Sequence, residues 1–324
     1  MDHSRYRKEL EKALYNRHVC GRTNDLIPVF NILRTGIDSG MKIFVPERGS
    51  GDEVSSSGLS ADRLCRISGK KSGRSYIPVF TSEDETGDFP DCVIKEYILE
   101  DVIDICENCG DRCSGIVIDP RGASFVLGRE RLRKLKSYVP GSHVVFVRCS
   151  HVMDMHVGAM VNPANNSLMG GGKIDSTILD AAGPDILEAC KALKGCSTGH
   201  SKVTLAYDIT HADYIIHTVG PVFCGVTEDE PMLRSSYRTC LDAAYAYGCM
   251  SIAFPCISVG LYGYPVRDAA IIALDTISKW FRDHPGAVMN VYLCCTDDEQ
   301  YDTYSDIVKE RYSKLKRDVP CSVF

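Results

Sequence analysis

Two glycine-bearing segments hold the residue types best suited to chemistry in this chain. The first runs Asn162-Pro163-Ala164-Asn165-Asn166-Ser167-Leu168-Met169-Gly170-Gly171-Gly172-Lys173-Ile174-Asp175. Successive glycines ahead of a helix let the backbone approach a ligand closely, and amides at a helix start favour a phosphate. The asparagines and Asp175 put amide and carboxylate groups beside that anion site. Read alone, the glycine run is equally a flexible connector, and Asp175 is more readily a helix N-cap, a position Asp favours. The second segment, Ile257-Ser258-Val259-Gly260-Leu261-Tyr262-Gly263-Tyr264-Pro265, also leads from a strand into a helix. Two such loops suggest a ligand with two phosphates held between two helix N-termini. Neither supplies the Gly-x-Gly-x-x-Gly run of a dinucleotide fold.

Other reactive residues make weaker patterns. Cys106, Cys109 and Cys113 offer three thiols where a structural zinc site needs four ligands. The nearest candidates for a fourth are Cys92 and Cys65, and packed thiols are the alternative reading. His156, His200, His211 and His217 are scattered, and His217, inside an apolar strand, reads as a satisfied core histidine. Cys294 and Cys295 fall in a predicted strand and read as core.

The elements that must position these residues follow from hydrophobic periodicity. Spacing predicts a helix over 4–17, strands over 42–45, 76–80 and 115–118, and a short helix over 129–135. The Gly- and Ser-rich stretch 48–61 reads as a loop, and Pro140-Gly141-Ser142 as a domain boundary. Beyond it, predicted strands (143–148, 157–161, 213–219, 251–256, 290–295) alternate with predicted helices (180–193 broken at Gly183-Pro184, 267–282, 298–315). That alternation argues for an α/β sandwich with a largely parallel or mixed sheet, whose ligands bind beyond the carboxyl ends of strands.

The 324 residues suggest about two domains. Basic residues number 37 against 43 acidic ones, a balance that argues against coating nucleic acid. The N-terminus shows no signal-peptide pattern and no run is long enough for a membrane span, so a cytoplasmic protein with reduced thiols is expected despite sixteen cysteines.

From about residue 143 onward the chain resembles a macrodomain, the module that binds ADP-ribose. VNPANNSLMGGGKID, AAGPDILEAC, CSTGHSKVT, YIIHTVGP and SIAFPCISVGLYGYP carry the resemblance in order and spacing. It is nearest the MacroD-type branch, whose members hydrolyse ADP-ribose esters. The resemblance implies a three-layer α/β/α domain over 140–324 with a mixed central sheet. It also implies hydrolysis of mono-ADP-ribose from acidic side chains, deacetylation of O-acetyl-ADP-ribose, or both, without a metal or other cofactor. By position, Asn165 and Asp175 are the catalytic residues: Asn165 would hold a ribose hydroxyl and Asp175 would aim or deprotonate a water. ADP-ribose contacts are expected from His151, Val152, Asn162, Gly170, Gly171, Gly172, Lys173, Ile174, Ser258, Val259, Gly260, Leu261 and Tyr262, with Tyr262 or Tyr264 on the distal ribose. Partners are then ADP-ribosylated proteins or O-acetyl-ADP-ribose, with no membrane.

Several positions depart from the branch. His151 stands where the family reads adenine with Asp, and Asp154 substitutes only if the connection is shortened. Lys173 replaces a Gly and either brings a cation to the diphosphate or points to solvent. Leu179 replaces the branch's usual His, and Pro163 replaces Ala. Binding without hydrolysis is therefore the second reading. A third is an interaction protein in which the N-terminal domain does the work. Residues 1–139 look like the SseB N-terminal domain, an α+β module, through KIFVP, YIPVFTSEDE and GIVIDPRGASFVLGRERLRKL.

Overall fold

Apolar runs and stripes build two units, Met1–Gly141 and Ser142–Phe324. The structure is a computed structural model that describes residues 4–19, 27–48, 63–68, 74–87, 89, 92–109, 112–120, 124–136, 143–285 and 287–315. The expected loop, beyond its first residue Arg48, and the expected boundary at Pro140-Gly141-Ser142 lie outside the described residues.

The first unit comprises α1 (Ser4–Val19), α2 (Ile27–Asp38), β1 (Lys42–Arg48), β2 (Ile67–Ser68), β3 (Ser75–Val79), β4 (Cys92–Ile98), α3 (Leu99–Asn108), β5 (Gly115–Ile118), β6 (Phe125–Gly128) and α4 (Arg129–Lys136). β1 pairs antiparallel with β4, while β2, β3, β5 and β6 form a second sheet in that order. The α3 stripe Leu99, Val102, Ile103 and Cys106 is buried at helical spacing. Cys65 is bonded to Cys92, which corrects the expectation of fully reduced thiols and removes both as fourth ligands for Cys106, Cys109 and Cys113. The Cys106 and Cys113 sulfurs lie 3.3 Å apart in the core, and the Cys109 thiol donates to the Cys106 carbonyl. Among the described residues no cluster of His, Cys, Asp or Glu is placed to hold a metal ion.

The second unit runs β7 (His143–Cys149), β8 (Val157–Pro163), α5 (Lys173–Ala182), α6 (Asp185–Leu193), β9 (Ser201–Leu205), β10 (Ala212–Thr218), α7 (Asp229–Ala246), β11 (Ser251–Pro255), α8 (Val266–Asp283), β12 (Met289–Cys295) and α9 (Asp298–Leu315). Its sheet has the order β7-β12-β11-β8-β10-β9, with every neighbouring pair parallel except β9 against β10. Period-2 alternation sends β12 side chains to two cores. Val291, Leu293 and Cys295 pack with residues of α7, α8 and α9, while Tyr292 and Cys294 pack with residues of α5 and α6. Each fully buried aliphatic side chain contributes about 1.5–3 kcal/mol, so both faces must be covered, and the fold is the expected mixed-sheet α/β sandwich. Helix α5 ends where Gly183 turns to φ +80°, and α6 begins one residue after Pro184. No described helix is long and apolar enough to cross a membrane.

Candidate active site

β7, β8, β11 and β12 run parallel, so their carboxyl ends share one edge of the sheet. A cavity of about 790 Å³ opens there, within the range typical of small-molecule sites. The two glycine-bearing segments form its two sides: Pro163, Ala164, Asn165 and 171–175 on one, 257–258 and 260–262 on the other.

Asp175 occupies the third position of α5, behind an N-cap supplied by Gly172, so it is not the cap that its residue type suggested. It lines the cavity, yet the residue is only 1% exposed. Burial pushes its carboxyl above the ordinary carboxylate value, against the opposing effect of a donor from Asn162. That donor arises from strand register. Asn162 on β8 and His217 on β10 are direct partners. Asn162 Nδ2 donates to Asp175 Oδ1 at 2.7 Å and lies 3.1 Å from His217 Nδ1. His217 Nε2 lies 3.0 Å from Thr204 Oγ1. With Nδ1 accepting from the Asn162 amide, Nε2 carries the proton and donates to Thr204. Burial pushes the His217 imidazole down to about 4, so the ring is neutral at physiological pH and serves as a core histidine. Asp175 Oδ2 is buried without a protein partner.

The loop ahead of α5 is held by Asn165. Its Nδ2 donates to the Gly170 carbonyl at 2.6 Å, and its Oδ1 accepts from Ser167 N, Ser167 Oγ and Leu168 N. Gly171, at φ +149°, places its α-carbon against this amide: a β-carbon there would lie 3.0 Å from Asn165 Nδ2. The amides of Gly171, Gly172, Lys173 and Ile174 donate to no protein group among the described residues. Neither do those of Gly260, Leu261 and Tyr262 across the cavity. Together they present N–H donors to an anionic ligand. The second loop is fixed by Ser258, at φ +66° with its carbonyl accepting from Tyr264 N at 3.0 Å.

The structure thus gathers His151, Asn165, Gly171, Gly172, Lys173, Ile174, Asp175, Ser258, Gly260, Leu261 and Tyr262 around one cavity. It leaves four expected contacts out of the lining. Val152 is core, packed in the cluster with Met155 and Met160. Asn162 is fully buried behind Asp175 and acts on the carboxylate. Gly170 spends its carbonyl on Asn165, and Val259 packs against the α7–α8 side. Tyr264 is also buried, against Phe223, which leaves Tyr262 as the cavity-facing tyrosine. The lining stops at Tyr262, so α8, which starts at Val266, brings no helix N-terminus to the site and the expected pair of helix ends is one. His151 caps a short 3₁₀ turn by accepting from Met153 N, while Asp154 accepts from His151 N and does not line the cavity. Leu179 is buried in the α5–α6 core beneath Gly170, and Lys173 is exposed.

Residues from the ends of other strands also line the cavity: Cys149, Ser150, Gly220, Cys256, Cys295 and Thr296. They lie outside the loops, and their only signal in the sequence is a position at the end of a predicted strand.

The family model described as Macro domain matches residues 161–273. An O-acetyl-ADP-ribose deacetylase of an Enterobacter species is 42% identical over 49% of this chain and 91% of its own length. The human ADP-ribose glycohydrolase MACROD2 is 40% identical over 49% of this chain, which spans 38% of that protein. A solved Oceanobacillus iheyensis macrodomain with ADP superposes with a TM-score of 0.51 at 31% identity, covering 55% of this chain and 96% of that one.

Proposed function

Because this chain belongs to the macro domain family, we propose that the cavity binds ADP-ribose and that the protein hydrolyses ADP-ribose esters. The substrates are mono-ADP-ribosylated acidic side chains of proteins, O-acetyl-ADP-ribose, or both. One observation carries this reading: a buried carboxylate at the edge of an amide-lined cavity, held at one oxygen by Asn162 and unpartnered at the other.

The chemistry needs a water aimed at an acyl carbon. Asp175 Oδ2 takes a proton from that water, and the hydroxide oxygen adds to the carbonyl carbon. The ribose oxygen leaves and recovers the proton, giving a carboxylic acid and a free ribose hydroxyl. Burial raises the Asp175 basicity, which suits a base working near neutral pH. The amides of 171–174 and 260–262 meet the diphosphate, Tyr262 packs on the distal ribose and His151 lies at the adenine end. Asn165 orders the glycine loop and turns to a ribose hydroxyl by exchanging the Gly170 carbonyl for it.

Binding without hydrolysis is the second reading. It is favoured by Asn165, whose amide and carbonyl are both committed to its own loop. A time course of ADP-ribose release from Glu-, Arg- and Ser-linked substrates, run beside O-acetyl-ADP-ribose, separates the two. Release from the Glu-linked ester, abolished in Asp175→Ala with affinity retained, supports hydrolysis. Tight binding with no release from any substrate selects the reader.

The proposed unit spans 140–324. Residues 1–139, which look like the SseB N-terminal domain, are assigned substrate or partner recognition, and the protein is placed in the cytoplasm.

A further inference from the structure

Three neighbouring strands each deliver a cysteine to the cavity. Cys149 ends β7, Cys295 ends β12, and Cys256 follows the last residue of β11. Cys149 and Cys295 are register partners, and Pro255 pairs with Cys294, so Cys256 stands beside Cys295. Neighbouring strands lie about 4.8 Å apart, inside the Cα range of about 4.4–6.8 Å that a disulfide spans. The Cys256 and Cys295 sulfurs are 3.8 Å apart, and the Cys256 thiol points at the Cys294 carbonyl, 3.7 Å away.

We propose that Cys256 and Cys295 form an oxidisable dithiol inside the ligand cavity, which a hydroperoxide closes to a disulfide and which then weakens ADP-ribose binding. The proposal rests on the cavity being the ADP-ribose site. The three thiols differ in access. Cys256 is half-buried and is the more open of the two to a small oxidant in the cavity, whereas Cys295 is fully buried beside it. Cys149 is exposed, but partial desolvation and Asp298, whose Oδ1 lies 3.7 Å from its sulfur, keep it protonated. Cys256 is therefore the attacking sulfur, open to the cavity and 3.8 Å from a second sulfur that can resolve it.

The step balances with peroxide as the two-electron oxidant. The Cys256 sulfur attacks a peroxide oxygen; the S–O bond forms, the O–O bond breaks, and the leaving hydroxide takes the thiol proton as water. Cys295 then attacks the sulfenic sulfur; the S–S bond forms, the S–O bond breaks, and a second water leaves. The sulfurs must close from 3.8 Å to a bond length of about 2.0 Å. Cys256 leads straight into the loop 257–262 that lines the cavity, so this movement displaces Ser258 and the amides beyond it. By linkage, ligand in the cavity protects the pair, and the disulfide lowers affinity by the same factor.

The test treats the full-length protein with hydrogen peroxide, alkylates it and maps linked peptides by mass spectrometry. ADP-ribose calorimetry is run on reduced, oxidised and re-reduced samples. The expected result is a Cys256–Cys295 link, slowed by saturating ADP-ribose, with affinity at least tenfold weaker and restored by dithiothreitol. Cys295→Ser, with Cys256→Ser as the second variant, should abolish the difference between oxidised and reduced samples. A link through Cys149, free Cys256 after treatment, or unchanged affinity in linked protein overturns the proposal. Reduced protein that binds no ADP-ribose overturns the reading of the cavity, a result separate from the presence or absence of the link.

Discussion

Replacing Asp175 by Asn tests whether the buried carboxylate is a base maintained at a cost to stability. The substitution keeps shape and keeps an oxygen to accept from Asn162. It removes a charge from a residue 1% exposed whose second oxygen has no protein partner. Leaving a buried polar group unsatisfied costs about 1–3 kcal/mol, and more for a charged one. The sign follows from the raised carboxyl. Its folded-state value lies above the ordinary 3.8, so the native state prefers the proton more than the unfolded state does. The wild type therefore holds its full stability from this group at low pH and loses it as pH rises through the folded value. Asp175→Asn does not titrate there. The variant should match the wild type near pH 4 and exceed it by about 1–3 kcal/mol at pH 8, a gain of ~2–4 °C in melting temperature per kcal/mol for a unit this size. Hydrolysis should fall by at least ~100-fold while ADP-ribose affinity stays within about threefold, since the lost interaction acts on the reacting water. Melting curves from pH 4 to 8, with calorimetry and an ester-release assay on the same samples, read all three. A variant that is less stable at pH 8, or whose stability offset is the same at every pH, refutes the argument about the buried charge. Retained turnover refutes the role of Asp175.

Three further outcomes follow. His217, pushed down to about 4 from an ordinary 6.5 by burial, contributes stability above pH 6.5 that is lost as pH falls toward 4, about 3 kcal/mol over that window. His217→Gln should flatten this acid loss in melting curves, and an unchanged acid limb would count against the neutral buried ring. A methyl at Gly220 would collide with Ser258 Oγ and reach within 2.6 Å of Ile257 Cγ2, so Gly220→Ala should weaken ADP-ribose binding by tenfold or more in calorimetry. Equal affinity would mean that the second loop does not hold the ligand. Lys173→Gly should weaken binding severalfold at low salt and reduce its salt dependence, as for loss of an exposed cation near a diphosphate; unchanged affinity at 20 mM salt would place Lys173 in solvent.

The second unit was legible where the physics is local. Strands buried on both faces read as continuous apolar runs, and SIAFP and the segment ending LCC show that pattern. Helix α7 escaped because its buried stripe is made of Leu233, Ser236, Tyr237, Cys240, Leu241 and Ala244, too mixed in character to announce itself. Edge strand β9 escaped because its residues are mostly half-buried and include Ser and Lys. The glycine loops were legible because close approach demands glycine. The cysteines were not: Cys149, Cys256 and Cys295 are more than a hundred residues apart at the extremes and meet only through the order β7-β12-β11.

Register decides the rest of the site in a way no motif displays. Asn162 belongs by sequence to the glycine-rich segment and reads as a ligand contact, yet on β8 it shares the parity of Met160 and so points to the α5–α6 face. There it meets His217, which shares the parity of Ile215 on β10, and both stand behind Asp175. A slip of one residue in either strand would turn its polar side chain to the α7–α8 core and leave the carboxylate without a donor. The apolar alternation of β8 and β10 that packs the two cores therefore also orients the Asp175 carboxylate. Substitutions that disturb that alternation, far from any ligand atom, should act on turnover before they act on binding.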